Sequence, residues 1–311
     1  MEIFGVDILL LLAQTLRMAV PIVLVALGGA VAEQSGVSNI GLEGMMLIGA
    51  FFGVLGSQIT GNPWMGLVCA MVAGALTSLI LAVWSIRFQC NQIVTGVTIN
   101  LLATGITITL MQILWNSQSR SPTVANLGQV KVEFISKLPI LGPLLDNQSP
   151  FIYITFALVA LMWILIFRTR FGLWLRAAGE HPLAVATAGV DVRRIRYICV
   201  ILSGILAGMG GACLSIGQLS QFTRGMSAGR GFIAIAAYIF GQYNPLGTFA
   251  AGLIFGFFDA LQMIFQGRSI PNQFVQMIPY VATIVALTGI GSFHRFRSPQ
   301  AVGVPFGEES D

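Results

Sequence analysis

"LRAAGEHPLAVATAGVDVRRIR", residues 175–196, is a polar island between two long apolar runs. It holds four arginines, two acidic residues and one of the two histidines of the chain. Over all 311 residues, 56% are hydrophobic, only 9% are charged and the mean hydropathy is +0.84. A soluble domain carries about 25% charged residues. The composition therefore predicts a protein whose main solvent is lipid, with the island outside the bilayer.

The apolar runs are about as long as a membrane is thick. Each run has about 20 residues, enough to cross a hydrocarbon core of about 30 Å as a helix. Solid apolar blocks exclude an outer-membrane barrel, whose strands alternate over about ten residues. We expect one all-α transmembrane domain over residues 1–311, a polytopic bundle of about nine to ten helices. The predicted spans are approximately 8–32, 36–59, 63–86, 92–115, 151–167, 197–219, 229–243, 246–266 and 275–292.

Two details of this pattern qualify individual spans. The run 229–243 is short and is typical of a half-helix that neighbouring helices bury. The chain starts with "MEIFGVD", without the basic residues of a signal peptide, so the first span is expected to remain as an anchor.

The positions of arginine predict which side each loop faces. Six arginines crowd residues 168–196: Arg168, Arg170, Arg176, Arg193, Arg194 and Arg196. The positive-inside bias places this loop in the cytoplasm, and alternation then puts the C-terminus in the cytoplasm and residues 116–149 outside. The same alternation predicts an outside N-terminus. One missed segment near Arg17 would reverse it, giving ten spans and an inside N-terminus.

Two similar segments suggest an internal repeat. "GNPWMGLVCAMVAGAL" (61–76) and "YNPLGTFAAGLIFGFF" (243–258) both open a small-residue-rich helix with Asn-Pro, and five spans separate them. An odd separation is what an inverted repeat requires, and such transporters place the solute path near the membrane midplane. Alternatively, Asn-Pro simply marks the start of two helices. The Gly-xxx-Gly segments 204–208 and 252–256 favour close helix packing within the chain.

Motifs for catalysis or metal binding are weak. The sequence lacks GxxxxGK[ST], so it has no loop to hold ATP phosphates. Residues 225–229, "GMSAG", match the Gly-x-Ser-x-Gly nucleophile motif but lie between membrane segments, and we interpret them as a flexible lead into the short helix. The four cysteines lack metal-ligand spacing. We therefore predict no enzymatic activity, metal or cofactor in this chain, and attribute its +4 charge to topology rather than to nucleic-acid binding.

Polar groups inside apolar spans are candidates for the solute path, because charges there are costly. The candidates are Asn39, Glu43, Asn100, Gln112, Asp259 and Gln262. We also hypothesise that Glu43 pairs with Arg17 inside the bundle. Several uncharged hydrogen-bonding groups favour a neutral polar solute over an ion, although each could instead bond a neighbouring helix.

The island itself reads as a short helix. Pro182 fits a first turn, alanines follow, and Gly189 fits the end. A helix flanked by arginines on the cytoplasmic face is a docking surface, or else an anchor to anionic lipid.

Three segments resemble the permease subunits of bacterial ABC importers of the ribose, nucleoside and branched-chain amino-acid branch. They occur in the same order as in that family: "GVSNIGLEGMMLIGAFFG" (36–53), "LRAAGEHPLAVATAGVDVRRIRYICVILSGILAGMGGACLS" (175–215) and "GRGFIAIAAYIFGQYNPLGTFAAGLIFGFFDALQ" (229–262). Within the family, "NIGLEGMML" and "GQYNPLGT" are most similar to nucleoside permeases, with simple-sugar permeases next.

The resemblance implies a function and partners. The chain would form a path for a nucleoside, or a simple sugar, across the bacterial cytoplasmic membrane. It would work with a second related permease, cytoplasmic ATPase subunits that bind ATP, and an extracytoplasmic binding protein or lipoprotein. The residues matching the family's coupling segment are Glu180, His181, Pro182, Ala184, Ala186 and Gly189. A secondary transporter is the alternative from the residues alone, and an integral-membrane enzyme fits less well.

Overall fold

A computed structural model describes residues 2–3, 6–130, 148–266, 277, 281, 298–304 and 306. Within this part of the chain, seven helices are long and apolar enough to cross a membrane, and one further apolar helix, Arg230–Phe240, is shorter. The predicted all-α membrane fold is confirmed. The predicted span 275–292 lies outside the described residues, apart from Met277 and Val281.

The helices follow the apolar runs closely. They are α1 Ile8–Gln34, α2 Leu42–Thr60, α3 Pro63–Ala82, α4 Gln92–Trp115, α5 Pro150–Arg168, α6 Arg170–Glu180, α7 Pro182–Thr187, α8 Val192–Ala212, α9 Arg230–Phe240 and α10 Pro245–Phe265. Helices α3 and α8 continue as π-helical turns over Val83–Arg87 and Cys213–Leu219. Two short strands, β1 Glu2–Ile3 and β2 Val6–Asp7, pair antiparallel before α1.

Asparagine caps set the start of several helices. The side chains of Asn62 and Asn244 accept hydrogen bonds from the backbone N–H two residues on, and proline occupies the first helical position after each. This is the expected chemistry of a helix N-terminus, where the first N–H groups lack intrahelical acceptors. The two Asn-Pro segments therefore share the same local structure, which an internal repeat and a simple helix-start signal both predict.

Helix α8 forms the centre of the bundle and packs on α1, α2 and α3. Its Gly204 and Gly208 face backbone atoms of α3, and Gly208 also faces Gly49 of α2, leaving no room for a Cβ. In α10, Gly252 and Gly256 lie in the same way against α1. Both Gly-xxx-Gly segments therefore serve packing within the chain, because close backbone approach supplies the attraction that lipid does not.

The molecule has two distinct ends. The island end holds α6, α7 and the start of α8. The loop end holds residues 116–130, where Ser121 N–H donates to Phe222 O at 2.9 Å and Val124 N–H donates to Ser220 O at 2.8 Å. Because the α8 helix runs from the island to Ser220, these two ends lie on opposite faces of the bundle.

The structure corrects the predicted span 36–59. Residues 35–41 are not helical, and α2 begins only at Leu42. Gly36 has a φ of +90°, and side chains satisfy the irregular backbone: Ser38 N–H donates to Gln92 Oε1 at 2.6 Å. Irregular backbone inside a bundle needs such partners, since lipid supplies none. Apolar composition alone could not reveal this break.

The predicted loop 168–196 contains more helix than the one short segment that the sequence indicated. It contains α6, α7 and the first turn of α8. Pro182 opens α7 and Gly189, with a φ of +81°, follows its end, as predicted. Arg196 is not a surface charge: its side chain is buried inside the protein.

Candidate translocation path and coupling surface

The central feature of the site is a carboxylate at the start of a short helix. Glu43 Oε1 accepts a hydrogen bond from Gly229 N–H at 2.9 Å, and Oε2 accepts one from Gly231 N–H at 2.7 Å. These donors lie at the N-terminus of α9, where the helix dipole carries partial positive charge. The negative charge of Glu43 is therefore offset by backbone groups.

The backbone around this contact is shaped by small residues. Gly225, Ala228 and Gly229 all have positive φ values, which turn the chain sharply into α9. A Cβ at position 231 would lie 2.5 Å from Glu43 Cα, so only glycine fits there. The "GMSAG" motif is thus a turn at a helix start, as interpreted from the sequence.

Asn100 of α4 holds the break before α2. Its Nδ2 donates to Ile40 O at 3.0 Å, and its Oδ1 accepts from Gly44 N–H at 2.7 Å. Asn100 lies about 12 Å along α4 at 1.5 Å per residue. This contact therefore lies within the span, about a third of the way along a helix of 24 residues.

A cavity of about 350 Å³ lies beside these two residues. Its described lining residues are Glu43, Gly44, Leu47, Val97, Asn100, Leu101, Thr104, Gly225, Ser227, Ala228 and Phe232. Leu101 is 71% exposed and Phe232 is 50% exposed, so the cavity opens along the uncovered flank of α4. Its volume is in the range of pockets that take small organic molecules.

Of the six path candidates, Glu43 and Asn100 line this cavity, and the others lie elsewhere. Asn39 is fully buried and donates to Ser203 Oγ at 2.9 Å, an interhelical bond. Gln112 donates to Asn116 Oδ1 at the end of α4. Asp259 pairs with Arg230 at 3.2 Å, and Gln262, one turn further along α10, is half-buried.

The hypothesis that Arg17 pairs with Glu43 is wrong. Arg17 Nε donates to Gln148 Oε1 at 2.8 Å near the loop end, whereas Glu43 binds the N-terminus of α9. The sequence could not indicate this partner, because a helix N-terminus presents positive charge without any charged side chain.

The opposite end of α9 is also fastened, by residues that the sequence analysis missed. Tyr238 Oη donates to Glu33 Oε2 at 3.2 Å, and Gln34 Nε2 donates to Tyr243 O at 2.7 Å. The two tyrosine rings lie 5.8 Å apart. Burial, helped by the nearby charge of Glu33, raises the pKa of Tyr243 to about 12, so this phenol stays protonated. The signal in the sequence that could have located this contact is Glu33, an acid within the apolar run of α1.

At the island end, α6 and α7 present an exposed surface. Thr169 Oγ1 caps α6 by accepting from Gly172 N–H at 3.1 Å. Within α7, Val185 is buried, whereas Leu183 is 70% exposed. Among the residues of the coupling segment, Glu180, His181, Ala184 and Gly189 are exposed, and Pro182 and Ala186 are half-buried. One side of this segment is thus packed against the protein, and its outer side is exposed.

This combination defines a class of protein. Broken backbone before a span, a cavity beside it and short helices displayed between spans are typical of the membrane subunit of a transporter. The family model described as "Branched-chain amino acid transport system / permease component" matches residues 11–287. The chain belongs to this family.

Individual relatives agree with the family. The chain is 40% identical over 303 residues to the guanosine ABC transporter permease NupQ of Bacillus subtilis (strain 168), covering 94% of both. It is 35% identical to the nucleoside ABC transporter permease NupC of Lactococcus lactis subsp. cremoris (strain MG1363), covering 89% of this chain and 91% of NupC.

A solved structure shares the fold. It is a metal-chelate type ABC transporter in an inward-facing conformation, with a TM-score of 0.52 and 15% identity, covering 91% of this chain and 87% of that one. The protein is therefore a multi-pass ABC importer permease and not an enzyme, since the ATPase of such an assembly is a separate subunit. The ABC assembly also includes a partner permease.

Proposed function

We propose that this permease forms the path for a neutral polar solute, a nucleoside, across the bacterial cytoplasmic membrane. The observation that carries the proposal is the cavity at Glu43 and Asn100, whose acidic group is already compensated by the protein. The names of two relatives, which specify guanosine and nucleosides, support the same solute class.

Electrostatics favour a solute without charge. Glu43 is held by α9, Asp259 by Arg230 and Glu33 by Tyr238, so each acid in the described spans already has a partner other than a cation. A secondary transporter would use such carboxylates for its coupling ions. The cavity instead offers the Thr104 and Ser227 hydroxyls together with the apolar faces of Val97, Leu101 and Phe232. Hydroxyls suit a ribose, and apolar side chains suit the flat face of a base.

The cavity is open on the α4 side, which supports its completion by the partner permease. Without it, lipid would reach the cavity past Leu101 and Phe232 and could offer no hydrogen bonds to the polar groups that line it. An extracytoplasmic binding protein or lipoprotein would deliver solute at the loop end. The path would then run from the loop end, past Glu43, to the island end.

The exposed surface of α6 and α7 is the proposed contact with the cytoplasmic ATPase. Glu180, His181, Pro182, Ala184, Ala186 and Gly189 would form the contact, and ATP would be bound by the ATPase rather than by this chain. Nucleotide-driven movement can favour one permease conformation only through contacts that differ between states. The C-terminal residues 298–304 contact the same end, through Ala301 N–H and Gly179 O at 2.8 Å, which supports a cytoplasmic C-terminus.

An uptake assay tests the solute and the mechanism together. The four components would be expressed in a strain without nucleoside uptake, and entry of labelled guanosine measured. We expect uptake that other nucleosides inhibit and that excess ribose does not. Inhibition by ribose would favour the simple-sugar alternative, and uptake without the ATPase would favour a secondary transporter.

A paired substitution in α4 tests the cavity. Thr104 lines it, whereas Thr98 is an exposed threonine of the same helix, and each hydroxyl donates to the carbonyl four residues earlier. We expect Thr104→Val to raise the KM for guanosine about fivefold, because a lost hydrogen bond costs about 1 kcal/mol. Thr98→Val should leave KM unchanged. Equal effects of both changes would remove the cavity from the path.

A further inference from the structure

Arg196 is a buried cation with an unusual pair of partners. Its side chain is only 2% exposed, although it belongs to the arginine-rich start of α8. Nε donates to Ser35 O at 3.2 Å, and Nη1 donates to Val304 O at 3.0 Å. The guanidinium of Arg196 therefore joins the break before α2 to a segment that lies more than 100 residues after Arg196 in the chain.

That segment, residues 298–304, is held at further points and is named the clasped segment below. Ala301 N–H donates to Gly179 O at 2.8 Å, and Gly303 N–H donates to Gly36 O at 3.3 Å. Gly179 has no room for a Cβ beside Gln34 O and Pro299. The clasped segment thus lies across the last turn of α6 and the end of α1.

The clasped segment adjoins the coupling helices and leaves apolar surface uncovered. Gly179, its partner, lies one turn before Pro182, the first residue of α7. Val304 is 49% exposed, and Leu183 of α7 is 70% exposed at the same end of the molecule. Exposed apolar side chains therefore lie on both α7 and the clasped segment at this end of the molecule.

We propose that the clasped segment and α6–α7 form one composite docking surface for the cytoplasmic ATPase, with Arg196 as its anchor. The proposal rests on the proposed function, which assigns α6–α7 to the ATPase. A six-residue helix such as α7 is only about 9 Å long. A stable interface buries about 800 Å² on each partner, so α7 requires neighbouring surface. The clasped segment is the neighbour that the structure supplies.

A lipid membrane is a less suitable partner for this surface than the ATPase. The clasped segment is not helical, and hydrocarbon offers no hydrogen-bond partners to the exposed polar groups of irregular backbone. A protein surface can supply hydrogen-bond partners to these groups as well as cover Val304.

Cysteine labelling in inside-out vesicles tests the composite surface. Cysteines would be placed at Val304, Leu183 and Ile59, in a chain whose Cys69 and Cys90 are replaced by serine, and exposed to a membrane-impermeant maleimide. Ile59, 75% exposed at the far end of α2, is the sidedness control and should not react. We expect removal of the ATPase to speed labelling of V304C and L183C at least tenfold.

The outcomes separate this inference from the proposed function. If only L183C is protected by the ATPase, the composite surface is overturned while α6–α7 docking stands. If neither is protected, both fail. If V304C stays unreactive without the ATPase, lipid or another permease copy covers it, and the inference is wrong.

The anchor has its own test with a matched control. Arg196→Lys keeps the charge but shortens the reach, whereas Arg194→Lys alters an arginine that is 84% exposed on the same turn. We expect only Arg196→Lys to speed V304C labelling in ATPase-free vesicles and to reduce the ATPase that co-purifies. No change in either measurement would refute the anchor. If R196K fails to insert into the membrane, the composite surface is still tested by the labelling of V304C in the chain that keeps Arg196.

Discussion

Glu43 shows how a single acid can be tolerated within a membrane-spanning helix. Both of its oxygens accept backbone N–H groups at the start of α9, and the contact requires that residue 231 have no side chain. A charge left without such partners would cost several kcal/mol in this environment, on the order of 3 kcal/mol by insertion scales. One contact therefore both positions α9 and supplies hydrogen-bond donors to the Glu43 carboxylate.

Gly231→Ala should disturb this contact directly. The added Cβ would lie 2.5 Å from Glu43 Cα, and backbone cannot yield as a flexible side chain can. We expect the free energy of unfolding to fall by about 1–3 kcal/mol, the usual range for overpacking. The measurement is the midpoint of thermal unfolding in detergent, together with guanosine uptake, which should fall as α9 shifts.

Gly105→Ala is the matched control. Gly105 lies in the middle of α4 with nothing within 4 Å of an added Cβ. Alanine should raise the free energy of unfolding by about 0.5–1 kcal/mol, because glycine loses more entropy in a helix. An equal effect from both substitutions would mean that Gly231 is not restricted by Glu43.

For single residues, the sequence predicted which side chains belong to the site better than it predicted what those side chains contact. The sequence singled out Glu43 and Asn100, because polar groups in apolar runs are conspicuous. It gave Glu43 the wrong partner, since the compensating groups are backbone N–H groups almost 190 residues away. Arg196 was counted as a loop charge because nothing in its neighbourhood indicates that Ser35 and Val304 would enclose it.

The element that organises the site is α9, an eleven-residue helix fastened at both ends. One end binds Glu43 and carries Arg230, which pairs with Asp259 of α10, while the other holds Tyr238 against Glu33. At about 16 Å it crosses only half of a membrane core. The short apolar run predicted this half-helix, but the attachments depend on tertiary structure.

A double-mutant cycle on Arg230→Met and Asp259→Asn measures the link between α9 and α10. The two groups lie 3.2 Å apart with Asp259 largely buried, so we expect a coupling energy of about 0.5–3 kcal/mol in thermal stability. The corresponding cycle on Arg17 and Glu43 should be additive within about 0.5 kcal/mol. Strong coupling in that second cycle would contradict the partners seen for both residues.

Element boundaries were predictable only where composition changes sharply. Asn-Pro marked the starts of α3 and α10 correctly, because both residues have defined roles at a helix N-terminus. The predicted span 36–59 began too early, since the non-helical residues 35–41 are held by Gln92 and Asn100 from another helix. Such a break is decided by side chains distant in sequence.

For the whole molecule, transport requires that the island end and the cavity respond to each other. Glu180→Lys should reduce solute-stimulated ATP hydrolysis and uptake about tenfold, by placing a repulsive charge where a partner docks. Thr123→Lys adds a charge to the exposed loop end and is the control. Both variants should be present in the membrane in normal amounts. Normal hydrolysis and uptake by Glu180→Lys would argue that the ATPase docks elsewhere.

The assembled importer should contain water where this chain alone shows a half-open cavity. Leu101 lines the cavity and is 71% exposed, whereas Leu76 of α3 is 58% exposed without lining it. Thiols react with charged reagents only as thiolates, which form in water and not in lipid. In the four-component importer we expect a charged methanethiosulfonate to modify L101C and to spare L76C, with guanosine slowing the reaction. Modification of L76C instead, or L101C rates that guanosine leaves unchanged, would place the path on another face of the bundle.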